Sequence, residues 1–232
     1  MIENITDVRK SLLWPTEVYF FKNENIDNNK IKEVILEKEK KDIKGLSIEQ
    51  TSNMGESQRS VLDRGSVVGG WQSRQSYNSI LEEEEFSEIS DYLKKCVSVI
   101  IEDFYKEGTK FFMVNSWVNV NKKGNYNVGH IHPNSHWSCA YYVTETYSAP
   151  IYFTDPRMRA TMCAVSDLQK NPYSYNIGPE KNEPGDAIFF PSWLEHSVAN
   201  NLTDNPRISI SCNFVLHDGN NLFQATGNSK VS

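Results

Sequence analysis

What the chain lacks restricts its class before any motif is considered. None of its apolar runs approaches the roughly 20 residues that a membrane-spanning helix needs. Its first residues, Met-Ile-Glu-Asn-Ile-Thr-Asp, lack the basic region and apolar run of a secretory signal. We therefore predict a soluble, cytoplasmic protein without a membrane partner.

Positive charge is also scarce. The 232 residues contain 24 Lys and Arg against 30 Asp and Glu, which gives a net charge of -6. Such a chain has no general electrostatic field for nucleic acid.

Cysteine is rare and has no metal-binding spacing. The four cysteines, Cys96, Cys139, Cys163 and Cys212, are scattered along the chain, and most have apolar neighbours. This distribution favours buried free thiols in a reducing compartment over a disulfide framework or a zinc site.

Histidine is scarce too, but its spacing is informative. In an extended segment, residues two apart point to the same side, so His130 and His132 can direct both imidazoles at one ion. His196, 64 residues after His132, is the candidate third ligand. The spacing predicts a metal site with these three ligands, whereas His136 and His217 have no partner at ligand spacing and are expected on the surface or in loops.

A carboxylate is a second candidate for the metal site. Asp155, in Phe-Thr-Asp-Pro-Arg, has two possible roles: it can begin a turn, or it can supply an acidic ligand. The residues alone leave both open.

The N-terminal half is predicted to be rich in helix. With 38% hydrophobic residues the chain can form one buried core, and we predict a single domain over residues 1–232. Its parts are a helix-rich region with strand and loop (1–108), a β core (109–217) and a C-terminal tail (218–232). The expected N-terminal elements are a strand near 17–21, a helix over 28–41, a loop or lid over 49–79 containing Gly69-Gly-Trp-Gln-Ser, and a helix over 86–104 with Ser87 as its N-cap and Gly108 just past its end.

The C-terminal half reads as short strands separated by turns. The expected strands cover residues 110–120, 138–143, 151–153, 187–190 and 207–216, with a loop over 156–184. This pattern is typical of a β-sandwich or jelly roll. The predicted fold class is therefore mainly β, a double-stranded β-helix with N-terminal supporting helices.

The last predicted strand alternates in polarity. Four apolar residues share one face and four polar residues share the other: Ile208, Ile210, Cys212 and Phe214 against Arg207, Ser209, Ser211 and Asn213. An arginine and a serine on one face can clamp a carboxylate, since guanidinium binds that group bidentately. Arg207 and Ser209 are thus predicted to bind an anionic ligand.

Taken in order, these motifs resemble a known family. The chain reads His-x-His-Pro-Asn-Ser-x-x-Ser-x-x-Tyr-Tyr, Phe-x-Asp-Pro-Arg, Pro-Gly-Asp-x-x-x-Phe-Pro-Ser-Trp-Leu-x-His and Arg-x-Ser-x-Ser-x-Asn. It resembles the Fe(II)/2-oxoglutarate-dependent oxygenases of marine bacteria and their phages, within a superfamily similar to prolyl hydroxylases. Leu-Trp-Pro-Thr-Glu-Val near the N-terminus and Gly69-Gly-Trp-Gln-Ser extend the resemblance over most of the chain.

The resemblance implies a jelly-roll enzyme that uses Fe(II), 2-oxoglutarate and O2. It would hydroxylate a substrate while 2-oxoglutarate is decarboxylated to succinate, with no catalytic residue beyond the metal ligands. Arg207 and Ser209 would hold the far carboxylate of 2-oxoglutarate, and Asn119 and one of Tyr141 or Tyr142 would add hydrogen bonds. Three tryptophans are candidates for the substrate mouth: Trp71, Trp137 and Trp193.

One position departs from the family. The superfamily has an acidic ligand where this chain has His132, so the triad is either three histidines or a histidine pair with a carboxylate such as Asp155. Three neutral imidazoles would leave Fe(II) with a charge of about +2 before cosubstrate binds, against about +1 with a carboxylate.

Two other classes compete with the oxygenase hypothesis. One is a cupin-like three-histidine metalloprotein that does not use 2-oxoglutarate, and the other is a non-enzymatic jelly roll with a structural or sugar-binding role. Arg207 favours the oxygenase, because a cupin-like protein needs no carboxylate clamp beyond the distal histidine. The substrate is open among a protein side chain, a nucleobase, a free amino acid and a small metabolite, and the oligomeric state is open as well.

Overall fold

Two antiparallel β-sheets form the body of the protein in this computed structural model. The structure describes residues 15–45, 66–73, 79–157, 176–177 and 182–217. The strands within these residues are β1 (Tyr19–Lys22), β2 (Val67–Val68), β3 (Trp71–Gln72), β4 (Lys110–Asn121), β5 (Tyr126–His130), β6 (Trp137–Tyr142), β7 (Ile151–Thr154), β8 (Asn176–Ile177), β9 (Asp186–Pro191), β10 (His196–Val198) and β11 (Arg207–His217). The helices are α1 (Asn28–Gly45) and α2 (Ser87–Phe104), with 3₁₀ turns at Ile80–Glu82 and Glu84–Phe86.

The larger sheet has the strand order β1-β9-β6-β11-β4-β3, and the smaller sheet has the order β2-β5-β10-β7-β8. Apolar side chains from both sheets pack together, among them Tyr142 and Phe190 with Ile151 and Leu194. The helices cover the opposite face of the larger sheet, where their residues join its core. This arrangement confirms the predicted mainly β, jelly-roll class with supporting helices.

Helix α2 forms because apolar residues recur at intervals of three and four. Ile89, Leu93, Val97 and Ile100 are fully buried against the larger sheet. The prediction of Ser87 as the N-cap is wrong. The 3₁₀ turn runs directly into the helix, so Phe86 is the cap, and the Ser87 hydroxyl donates to the Glu84 carbonyl oxygen at 2.8 Å.

Strand β11 lies between β4 and β6 and has the two faces that its sequence predicts. Its four apolar residues are fully buried on the helix side of the sheet. Arg207, Ser209 and Asn213 face the space between the sheets and are also buried. The polar face therefore lines an interior and not the solvent.

Two predicted loops contain strands. Within 49–79, β2 and β3 flank the Gly69-Gly70 turn, and within 156–184, β8 pairs with β7. Each of these strands has two residues, so tertiary pairing and not local periodicity creates it. Much of each predicted loop lies outside the described residues.

The remaining sequence expectations have mixed outcomes. Cys96, Cys139 and Cys212 are buried free thiols, as predicted, whereas Cys163 lies outside the described residues. No helix in the described part of the chain is long and apolar enough to cross a bilayer. The division into one domain with a tail over 218–232 extends past the described residues and stays a prediction.

Candidate metal and cosubstrate site

Two of the candidate ligands sit directly opposite each other on paired strands. His130 ends β5, His196 begins β10, and the two are antiparallel partners. The histidines of these strand ends face the larger sheet across the narrow interior. Residues far apart in the sequence thus meet at the ends of two neighbouring strands of the smaller sheet.

His132 completes the cluster from just beyond the end of β5. Its Nε2 lies 3.2 Å from Nε2 of His196, and the ligand atoms of all three histidines lie within 4.8 Å of one another. Ligand nitrogens bound at about 2.1 Å to one ion lie roughly 3 Å apart when they are at right angles. The spacing therefore fits three ligands of one metal ion.

Backbone carbonyls fix the tautomers of two ligands. Nδ1 of His130 lies 2.8 Å from the Val128 carbonyl oxygen, and Nδ1 of His196 lies 3.0 Å from that of Leu194. A carbonyl oxygen only accepts, so each Nδ1 carries the proton and each Nε2 keeps its lone pair for a metal.

His196 is the most deeply buried ligand, with 5% of its surface exposed. Burial, with the neighbouring His130, lowers the pKa of His196 to about 3. The imidazole is therefore neutral at physiological pH, which is the form that binds metal.

His132 is held by two contacts that its sequence position does not reveal. Its backbone N–H donates to the Ser192 carbonyl oxygen at 2.9 Å. Its ring stacks on Trp117, with ring centroids 5.4 Å apart and planes 20° from parallel. The strand ends at His130, so these contacts, and not continued strand pairing, direct His132 at the other ligands.

Asp155 begins a turn and does not join the cluster. Its carboxylate accepts from the backbone N–H of Arg157 at 2.9 Å and forms a salt bridge with that guanidinium at 2.7 Å. The Arg157 hydrogen bonds lower the pKa of Asp155. Among the described residues, the group with metal-ligand spacing consists of the three histidines.

Arg207 lines the same cavity as the three histidines. Its guanidinium is buried, donating to the Ala149 carbonyl oxygen and the Ser209 hydroxyl, both at 3.0 Å. Burial lowers its pKa, and no carboxylate of the described residues forms an ion pair with it. A buried cation without an anionic partner is costly, so this site suits an anionic ligand.

Tyr142 lies beside this cation. The Arg207 guanidinium carbon is 5.4 Å from the ring centroid, and the Tyr142 hydroxyl is buried. Burial raises the pKa of Tyr142 to about 12, against the opposing effect of Arg207. A neutral hydroxyl next to this buried guanidinium can serve as a second donor to a carboxylate. Tyr141, the alternative candidate, points to the helix side and donates to Asn28.

The cavity between the triad and Arg207 is narrow, with a volume of about 30 Å³. Asn119, Ser209 and Trp117 line it, whereas the predicted contacts of Asn119 and Ser209 with 2-oxoglutarate stay predictions. Sequence reasoning missed Trp117, although its position two residues before Asn119 on a strand places both on the same face. Asn127 and Ser66 also line the cavity and were not predicted.

Other candidates lie elsewhere. Trp71 and Trp137 are buried in the core on the helix side, and therefore neither lines the substrate mouth as predicted. Trp193 is 53% exposed and is absent from the cavity wall. His136 accepts a hydrogen bond from the Leu216 backbone, and His217 stacks on Phe112, so both lie outside the cluster.

Comparison with protein families gives a match for the part of the chain that contains the site. Residues 115–213, which include all three histidines and Arg207, match a family described as "Putative 2OG-Fe(II) oxygenase". The matched family is the 2OG-Fe(II) oxygenases. This confirms the resemblance found in the sequence. The narrower origin in marine bacteria and phages stays a prediction.

Solved structures of 2OG-Fe(II) oxygenases share the fold. A prolyl-4-hydroxylase from Pseudomonas putida aligns over 86% of this chain and 93% of its own, with a TM-score of 0.51 and 10% identity. The epimerase SnoN, in complex with Fe3+, alpha ketoglutarate and nogalamycin RO, aligns over 94% of this chain and 89% of its own, with a TM-score of 0.50 and 13% identity. An oxidoreductase of the 2OG-Fe(II) oxygenase family from Burkholderia pseudomallei aligns over 59% of this chain and 54% of its own, with a TM-score of 0.39 and 12% identity. At these identities the likeness to the prolyl-4-hydroxylase and to SnoN concerns the fold alone. This chain spans about half the length of the Burkholderia protein. Comparison with curated proteins gives no match.

The predicted cofactors agree with the matched family. Its description names 2-oxoglutarate, Fe(II) and oxygenase chemistry, which includes O2. The residues fit these groups, since three imidazole nitrogens suit a divalent transition metal and the Arg207 end suits a carboxylate. The family is one of oxidoreductases.

Proposed function

We propose that this protein is an Fe(II)- and 2-oxoglutarate-dependent oxygenase that hydroxylates a substrate. The observation that carries the proposal is one cavity with a metal-ligand triad at one end and, at the other, a buried arginine that has no carboxylate partner among the described residues. A cupin-like metal site accounts for the triad but not for the cost of burying Arg207 without an anion.

Three histidines would hold the metal. His130, His132 and His196 present ring nitrogens to one point, and two of the rings are fixed by backbone carbonyls. Fe(II) with bound 2-oxoglutarate supplies the activation of O2 that hydroxylates a C–H bond, coupled to decarboxylation of 2-oxoglutarate to succinate and CO2.

The polar end would hold the cosubstrate. Arg207 and Ser209 are already hydrogen-bonded to each other, so the clamp is formed before any ligand binds. Tyr142 would donate its hydroxyl to the same carboxylate, and Asn119 would add a donor between the two ends of the cavity. Burial of these groups excludes water and strengthens each charged contact.

The substrate is unassigned among a protein side chain, a nucleobase, a free amino acid and a small metabolite. Hydroxylation is proposed over epimerisation because it needs no residue beyond the triad and the cosubstrate clamp. An epimerisation would also need a residue that returns a hydrogen atom to the substrate, and hydroxylation does not.

The test is a titration of 2-oxoglutarate into anaerobic Fe(II) protein, followed by the metal-to-ligand charge-transfer band. Arg207→Ala leaves the cosubstrate charge unpaired in a dry pocket, which costs roughly 2 to 5 kcal/mol, and we expect a loss of affinity of about 30-fold to several thousandfold. Arg207→Lys should restore part of the affinity, because lysine supplies a charge without the fork.

Arg157→Ala is the matched control. Its guanidinium is paired with Asp155, is about half exposed and does not line the cavity. It should bind 2-oxoglutarate as wild type does. A wild type without the band, or an Arg207→Ala variant with wild-type affinity, would contradict the proposal and favour the cupin-like alternative.

A further inference from the structure

The segment Gly69–Ser73 was predicted only as part of a loop, yet the structure places it against the cavity wall. Strand β3 pairs with the inner end of β4, with Gln72 opposite Asn119. We propose that Gln72 is a positioning residue that fixes the orientation of the Asn119 amide, so that its N–H group serves as a donor to 2-oxoglutarate. This inference rests on the proposed function and identifies a determinant of cosubstrate affinity.

The hydrogen bonds define which way the Asn119 amide points. Gln72 Nε2 donates to Asn119 Oδ1 at 2.9 Å, and Asn119 Nδ2 donates to Ser211 Oγ at 3.2 Å. Asn119 and Ser211 line the cavity, whereas Gln72 lies beside Asn119 on the neighbouring strand β3 and is buried. With its oxygen held by Gln72, the amide must present its NH2 on the cavity side. Reversing the Asn119 amide while Gln72 keeps its orientation would set two donors against each other.

Asn119 stands midway between the two ends of the cavity. Trp117, Asn119 and Asn121 are alternate residues of β4, so they share a face and are spaced about 6.8 Å apart. Trp117 stacks on His132, and Asn121 is the strand partner of Arg207. A ligand that joins the metal to Arg207 therefore passes over Asn119.

The neighbours of Gln72 explain how it is held. A Cβ at Gly70 would lie 2.7 Å from the Val120 carbonyl oxygen, so only glycine allows the close approach to β4. On one side of Gln72, Trp71 Nε1 donates to Asp42 on α1 at 2.7 Å. On the other side, the Ser73 hydroxyl accepts from the Val118 backbone N–H at 2.9 Å. The residues on both sides of Gln72 are thus fixed, one by a hydrogen bond to α1 and the other by a hydrogen bond to β4.

The experiment compares wild type with Gln72→Met, which keeps the length of the side chain but removes its donor. We expect the Kd for 2-oxoglutarate, read from the charge-transfer band, to rise about tenfold while the iron content is unchanged. Tyr105→Phe is the control for losing one hydrogen bond, because the Tyr105 hydroxyl accepts from Trp137 Nε1 on the helix side of the sheet. It should leave the Kd within a factor of about two.

A second readout does not depend on turnover or on iron. In a ¹H–¹⁵N spectrum of zinc-loaded protein, the Asn119 side-chain amide pair is identified by its absence from Asn119→Asp. It should shift when 2-oxoglutarate is added to wild type, and it should move or broaden in Gln72→Met before any cosubstrate is added.

The outcomes separate this inference from the function on which it rests. A wild type that gives no charge-transfer band overturns the proposed function, and the role of Asn119 toward the cosubstrate falls with it. A wild type that binds 2-oxoglutarate, alongside a Gln72→Met variant with the same Kd and an unmoved amide pair, overturns the inference alone.

Discussion

At the scale of single residues, the triad was predictable from spacing but its supports were not. The two-residue interval of His130 and His132 predicts a shared direction, and the structure brings both to His196. The carbonyls that fix His130 and His196, and the Trp117 ring that stacks on His132, depend on chain segments brought together only by folding. Sequence patterns carry no signal for such contacts.

His196 provides the simplest test of the metal site. His196→Ala removes the most buried ligand, so the iron content of purified protein should fall from one equivalent to near background. His136→Ala, at an exposed histidine outside the cluster, should keep its iron. Circular dichroism should show both variants folded, and an unchanged iron content in His196→Ala would disprove the assignment.

A pair of variants tests the unusual third ligand. His132→Asp should retain iron and bind it more tightly, because a carboxylate offsets one charge of the metal. Asp155→Asn should also retain iron, since that carboxylate is engaged by Arg157 and lies outside the cluster. Iron loss in Asp155→Asn together with retention in His132→Ala would instead assign Asp155 to the metal.

At the scale of elements, a strong hydrophobic periodicity was sufficient to predict a helix or strand. Helix α2 and strands β4 and β11 lie close to their predicted ranges because each buries an apolar stripe of many residues. Strands β2, β3 and β8 have two residues each, too few to leave a period in the sequence. Their existence depends on a partner strand, which explains why the segment around Gln72 was predicted as a loop.

The close approach of Gly185, just before β9, to Asn23, just after β1, supplies a prediction at this scale. Gly185 has φ +91°, and a Cβ there would lie 2.0 Å from the Asn23 carbonyl oxygen, whereas Gly108 has φ +87° with open space around it. Gly185→Ala should lower the free energy of unfolding by roughly 2 to 4 kcal/mol. Gly108→Ala should cost about 1 kcal/mol, because only the backbone conformation is strained. Urea denaturation measures both, and equal losses would show that the contact with Asn23 is not restrictive.

At the scale of the whole molecule, metal binding should stabilise the fold. The ligands join the end of β5, the start of β10 and the segment after β5, so an ion would link regions 64 residues apart in the chain. Nickel at about 100 times its Kd adds about 2.7 kcal/mol of stability, or roughly 5 to 10 °C in melting temperature for a chain of this size.

The comparison is made between nickel-loaded protein and protein treated with a chelator. His196→Ala should melt at the same temperature in both states. If the wild-type melting temperature is the same with and without nickel, the three histidines do not hold a metal in the folded protein.

The two faces of β11 have a consequence for laboratory evolution of this protein. Positions 208, 210, 212 and 214 maintain the core, while Ser211 and Asn213 face the interior, where Ser211 lines the same cavity as Arg207. A library confined to positions 211 and 213 would vary the interior surface of the larger sheet without touching the helix side. A single-residue deletion in the same strand would exchange the two sets and should yield no soluble clones.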